Sequence, residues 1–99
     1  MLPSSDAPSP KGHTADTAEA TVVLAAHLHA RPAGRLARAA ACFRSSLQIE
    51  YQDKTANPTG ILAVMSLGAT AGTTVTVRAH GEDAPHAVEE LAALLRTIE

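Results

Sequence analysis

Aromatic side chains are nearly missing: the 99 residues hold Phe43, Tyr51 and no tryptophan. Alanine, leucine, valine and isoleucine must therefore fill the core, and a core of small aliphatic groups is thin. Cysteine is as scarce. Cys42 stands alone, which excludes an internal disulfide and is compatible with a reducing cytosol. No apolar run approaches the ~20 residues that cross a bilayer. The start of the chain lacks a basic stretch followed by an apolar one, so neither a secretory signal nor membrane insertion is expected, and a cytoplasmic location is. An excess of positive charge is absent too. Eight Lys and Arg against ten Asp and Glu leave a net charge of −2, which argues against nucleic acid as the main partner. The length suits one small domain.

What is present falls into ordered blocks. Residues 1–18, "MLPSSDAPSPKGHTADTA", offer almost nothing to bury and are expected to form a disordered tail, with a domain over 19–99. "ATVVLA" (20–25) is β-branched and apolar and reads as a buried strand. A helix follows, with Pro32 in its first turn and an apolar stripe of Ala33, Leu36, Ala37, Ala40 and Phe43. Arg35 and Arg38 lie off that stripe, and Cys42 is expected inside the helix as a small core hydrophobe. Gly34 costs roughly 1 kcal/mol against alanine there, so close backbone packing is expected at it.

Leu47, Ile49 and Tyr51 alternate with polar residues as a strand with one dry face. Gln52, Asp53 and Lys54 are expected to turn it into a short partner strand. "TGILAVMSLG" after Pro58 reads as a short helix closed by Gly68. "TTVTVRAH" (73–80) alternates again. Asp83 is expected to cap a last helix with Pro85 in its first turn, an apolar stripe of Ala87, Val88, Leu91, Leu94, Leu95 and Ile98, and Arg96 favourably placed at its end. One-faced strands and one-striped helices need each other. The order β-α-β-β-α-β-α implies a four-stranded antiparallel sheet with helices on one side.

The chemistry concentrates in "HLHARPAG", residues 27–34. A helix entrance leaves N–H groups unpaired and carries partial positive charge, so it favours anions. His29 stands at that entrance, and Arg31 adds a permanent charge that suits phosphate oxygens. Both features disfavour imidazolium and keep a ring lone pair free as a nucleophile. The combination suits taking a phosphoryl group onto His29 while Arg31 and backbone N–H groups hold its oxygens. No carboxylate pair or metal cage accompanies it, so a carrier is expected rather than a self-sufficient enzyme, and no cofactor. His27 and His29 make at most two ligands, short of the three or four that zinc wants, with His13, His80 and His86 not evidently near. His27 is expected to be an exposed loop residue.

"LHARPA" (28–33) resembles the active-site motif of the HPr family, the histidine phosphocarriers of the bacterial phosphotransferase system. "AVMSLG" (63–68) is similar to the family's middle-helix signature, and "TVRAHGEDAPHAVEELAALL" (76–95) to its last strand, turn and helix. The resemblance spans about residues 20–99. It implies an α+β open-faced β-sandwich, βαββαβα, with three helices on one face of a four-stranded antiparallel sheet. It also implies that His29 is phosphorylated at Nδ1, that Arg31 attends the phosphoryl group, and that Ile61, Leu62 and Met65 dock partners. The implied partners are enzyme I, charged by phosphoenolpyruvate, and enzyme IIA domains, and a monomer is expected.

The sequence departs from the family pattern in places. Gly60 stands where many Gram-positive members carry a regulatory serine, so that control is expected to be absent. Ala26 stands where Asn or Ser is frequent, and His27 where glycine is usual. A nitrogen-related or dihydroxyacetone-kinase branch, a non-phosphorylated binding module using Ile61, Leu62 and Met65, and a small phosphate-cleaving enzyme are the other readings.

Overall fold

A computed structural model describes residues 17–98. The order is β1 (Thr17–Val23), α1 (Ala30–Ala40), β2 (Ser46–Tyr51), β3 (Lys54–Ala56), α2 (Ile61–Ser66), β4 (Thr74–His80) and α3 (Ala84–Thr97). All strand pairs are antiparallel, in the spatial order β1-β4-β2-β3. The fold expected from the sequence is therefore present. The strand over 20–25 is shifted: β1 begins at Thr17 and pairs with His80. Residues 17 and 18 thus belong to the sheet, and the rest of the expected tail lies outside the described residues.

Register explains which face is dry. Ala20 stands opposite Val77, Val77 opposite Ile49, and Ile49 opposite Ala56. One row across all four strands is apolar and points at the helices, since side chains alternate faces along a strand. Val22, Leu47, Val75 and Ala79 extend this floor, and Leu36, Val64, Leu91, Leu95 and Ile98 cover it. The other face carries Glu19, Glu50 and Arg78, where the Arg78 guanidinium pairs with both carboxylates, at 3.1 Å for Glu19. Glu50 first, then Glu19, holds Arg78 in its charged form.

Four local expectations need correction. Helix α1 ends at Ala40, so Cys42 falls beyond it and is exposed. Its Sγ approaches the Arg38 carbonyl at 3.6 Å instead of entering the core. Phe43 also lies past the helix, partly buried, in a T-shaped contact with the His86 ring, centroids 5.6 Å apart. The hairpin turn consists of Gln52 and Asp53 alone, because Lys54 already pairs with Tyr51, and Gln52 takes a φ of 56°.

The fourth correction is Asp83. It stands at the α3 N-cap yet makes no side-chain cap bond. Its carboxylate accepts instead from the Arg44 and Ser45 N–H groups, each at 3.0 Å, and from the Ser45 hydroxyl. These bonds link the start of β2 to the start of α3. Ser45 is the buried polar residue of this corner, and Asp83 satisfies it. Gly81 permits the approach: its φ is 147°, and a Cβ there would lie 2.7 Å from Ser45 Cα.

Candidate functional site

The site lies at the opposite end of the sheet, where β1 ends and β4 begins. Between Leu24 and His29 the chain bends at Ala25 and Ala26 and is stitched to residues 69–73. Leu24 N–H donates to the Thr73 carbonyl at 2.9 Å, Gly72 N–H to Leu24 at 2.9 Å, and Leu28 N–H to Ala69 at 3.2 Å. Leu28 and Ala69 are buried. Leu28 is turned inward while His27 and His29 on either side of it are exposed, and the His29 N–H turns back to the His27 carbonyl at 2.9 Å. The two rings stack, with centroids 5.3 Å apart and planes 28° apart.

His29 is the N-cap of α1, with extended backbone (φ −80°, ψ −174°), and its side chain makes no cap bond. Its carbonyl accepts from Ala33 N–H at 2.9 Å, which closes the first turn. In that turn Pro32 has no N–H, so Ala30 and Arg31 supply the donors that face outward. Arg31, Arg35 and Arg38 are exposed along the helix. The ion pairs of the described residues are made by Arg44 and Arg78, so the three arginines of α1 meet no carboxylate there. Ala26, His27, His29, Arg31 and Pro32 line a hollow of about 350 Å³. A larger one, about 410 Å³, lies at the other end of the sheet around Thr17, Ser46 and His80. It lacks a free nucleophile beside an unpaired cation, so size does not mark the site.

Helix α2 borders this entrance. Ile61, Leu62 and Met65 are 41%, 78% and 37% exposed, while Val64 is fully buried. Six residues cannot bury every side, which leaves an apolar patch facing solvent. Ile61 Cδ1 lies 4.0 Å from the place a Cβ on Gly34 would take, with Arg38 Nη1 at 3.9 Å. The patch thus abuts α1 one turn past Arg31. Both distances are ordinary van der Waals contact, so the close packing expected at Gly34 is not what places a glycine there. Gly60 begins α2 and has no hydroxyl to modify. The Thr59 hydroxyl beside it donates to Asn57 Oδ1 at 2.7 Å.

The structure thus brings His29, Arg31 and the α2 patch to one end of the molecule. It leaves His80 on the far end of β4 and His86 on α3, while His13 lies outside the described residues. Among the described residues no three His, Cys, Asp or Glu side chains converge as a metal site. His27 is exposed, as expected, but it is not idle: Ala71 N–H donates to its Nδ1 at 3.0 Å. That bond joins residues 44 apart, and no local pattern in the sequence signals it.

The PTS-HPr family pattern, "PTS HPr component phosphorylation site", matches residues 17–97. The phosphocarrier protein HPr of Lysinibacillus sphaericus is 39% identical over 79 residues, covering 80% of this chain and 90% of that one. A multiphosphoryl transfer protein of Xanthomonas campestris pv. campestris is 33% identical over 90 residues, 91% of this chain but only 11% of that much longer protein. Among solved structures, HPr of Bacillus anthracis superposes with a TM-score of 0.74 at 34% identity, covering 80% of this chain and 96% of the other. Crh, the Bacillus subtilis catabolite repression HPr, does so with 0.69 at 36% identity, covering 84% and 99%. No helix among the described residues is long and apolar enough to cross a membrane. The chain belongs to the PTS HPr family and is an HPr-type phosphocarrier, passing a phosphoryl group along the phosphotransferase relay by way of a histidine.

Proposed function

We propose that His29 is the histidine that carries the phosphoryl group, at Nδ1, and that Arg31 holds the phosphoryl oxygens. The carrying observation is the α1 entrance: an exposed imidazole whose side chain makes no cap bond, beside an arginine without a carboxylate partner among the described residues. His27 is the poorer acceptor, because its Nδ1 lone pair already takes the Ala71 N–H. In the transfer, a lone pair of the His29 ring attacks phosphorus, and the bond from phosphorus to the donor's leaving atom breaks. That atom keeps the electron pair. The outward N–H groups and Arg31 meet the charge on the transferred oxygens, as donors aimed at an anion do.

The donor is enzyme I, charged by phosphoenolpyruvate, and the acceptors are enzyme IIA domains, in the cytoplasm, with this chain acting as a monomer. Ile61, Leu62 and Met65 provide the apolar centre of docking, and Arg31, Arg35 and Arg38 a positive rim for acidic partners. Sugar uptake is the branch we assign. A nitrogen-related or dihydroxyacetone-kinase branch would show itself by which IIA-type acceptor takes the group faster. Gly60 removes the serine that a kinase would modify.

Incubation with phosphoenolpyruvate and enzyme I tests the assignment. The chain is expected to gain one acid-labile, base-stable phosphate and His29→Ala none. A phosphate on His29→Ala overturns it.

A further inference from the structure

We infer that His27 is a positioning residue: its ring, tethered to the loop before β4, sets the orientation in which His29 presents itself for phosphoryl transfer. The inference rests on His29 being the carrier. Three observations support it. First, the His29 side chain makes no cap bond to its helix and no side-chain hydrogen bond within the described residues, so bonding leaves its ring torsions free. Second, the His27 ring lies against it in a stacked arrangement, 5.3 Å between centroids with planes 28° apart. This falls in the separation range of offset aromatic pairs. Third, His27 cannot swing away freely. Its Nδ1 accepts the Ala71 N–H at 3.0 Å, and its carbonyl accepts the His29 N–H at 2.9 Å.

The tether also settles the tautomer of the neutral ring. An Nδ1 that accepts a hydrogen bond has no proton, so the proton sits on Nε2. His27 is thereby a tethered plate with its back to the 69–73 loop. That loop is in turn pinned by the Leu24, Leu28, Thr73 and Gly72 bonds. Orientation then passes from the sheet through the loop to His27 and from His27 to His29. An unoriented nucleophile must find its reactive rotamer at each encounter, whereas a pre-oriented one does not. The gain therefore belongs to the transfer step rather than to docking, which the α2 patch handles.

The test measures phosphorylation by enzyme I with this chain as the varied substrate, in wild type, His27→Ala, His27→Phe and His27→Gln. Phenylalanine keeps a ring to stack but cannot accept the Ala71 N–H. Glutamine can accept it but has no ring. Expected for His27→Ala is a fall in kcat of roughly two- to tenfold, the size an aromatic contact supplies, with KM unchanged. His27→Phe, which stacks without the tether, should recover part of the loss and His27→Gln little. In wild type, proton NMR should show inter-ring contacts between His27 and His29, and the His29 ring signals should shift in His27→Ala.

An unchanged kcat in His27→Ala, or a change confined to KM, overturns the inference. So does recovery by Gln but not Phe, or the absence of inter-ring contacts in wild type. A phosphate on His29→Ala would instead overturn the assignment of the carrier. Normal labelling of His29 in every His27 variant at equal rates would sink only the role of His27.

Discussion

The two ends of the sheet are built on opposite terms. At the end where β2 starts and β4 finishes, polar groups are matched to one another: one carboxylate, Asp83, answers two N–H groups and a hydroxyl, and a glycine gives them room. At the other end, the cations of α1 meet no carboxylate among the described residues, and the side chain of the cap residue His29 makes no bond to its helix. The same sheet supports both. The difference fits the proposed site: an entrance meant to receive a visiting anion withholds internal partners where a purely structural corner supplies them, at some cost in stability.

Removing charge from the open end should have the largest effect. Arg31→Ala should lower phosphoryl transfer from enzyme I by roughly 10- to 100-fold, the worth of a hydrogen bond to a charged group. Arg31→Lys should restore only part, since a point charge lacks the planar fork. Melting curves of both should match wild type, because no carboxylate of the described residues depends on Arg31.

Crowding the closed end should spare chemistry and cost stability. Gly81→Ala places a methyl into Ser45 Cα and forces an unfavourable φ, so at least ~2 kcal/mol should be lost. Thermal unfolding should register this as a Tm drop on the order of 10 °C. Transfer kinetics measured well below that Tm should stay near wild type.

Acid should weaken the closed end more gently. The Ser45 hydroxyl first, then the Arg44 N–H, holds the Asp83 carboxyl below its ordinary 3.8. A depressed folded value means stabilisation that is complete above 3.8 and fades as pH falls through the lower folded value. Melting of wild type and Asp83→Asn between neutral pH and about pH 2.5 should show a gap that closes toward the acid limit. The smallest expected effect is a gain: Gly34→Ala should add about 1 kcal/mol, read by chemical denaturation, because nothing stands nearer than 3.9 Å to the new methyl.

The alternating runs around Ile49 and Val77 and the stripe of α3 were legible in the sequence because each element's periodicity matches the face it buries. So was the meeting of His29 with Arg31, which depends on one helix entrance. Three features were not legible, and they share a cause. Ala71 reaching His27, Asp83 reaching Ser45, and Cys42 lying beyond α1 are decided by where distant or terminal backbone groups come to rest. Asp83 shows this best. It has the residue type and place of a helix cap, yet two N–H groups and a hydroxyl from 38 and 39 residues away compete for the same oxygens. Tertiary context prevails over local preference there.

Pro32 has one more consequence. Every N–H group that grips a phosphoryl group lowers its readiness to leave, so a tighter cradle would turn a courier into a sink. An ordinary first turn would offer a further donor, and proline deletes it. If His29 is the carrier, Ala30 and Arg31 alone supply backbone donors to its phosphoryl group, so the backbone holds the cargo by two N–H groups instead of three.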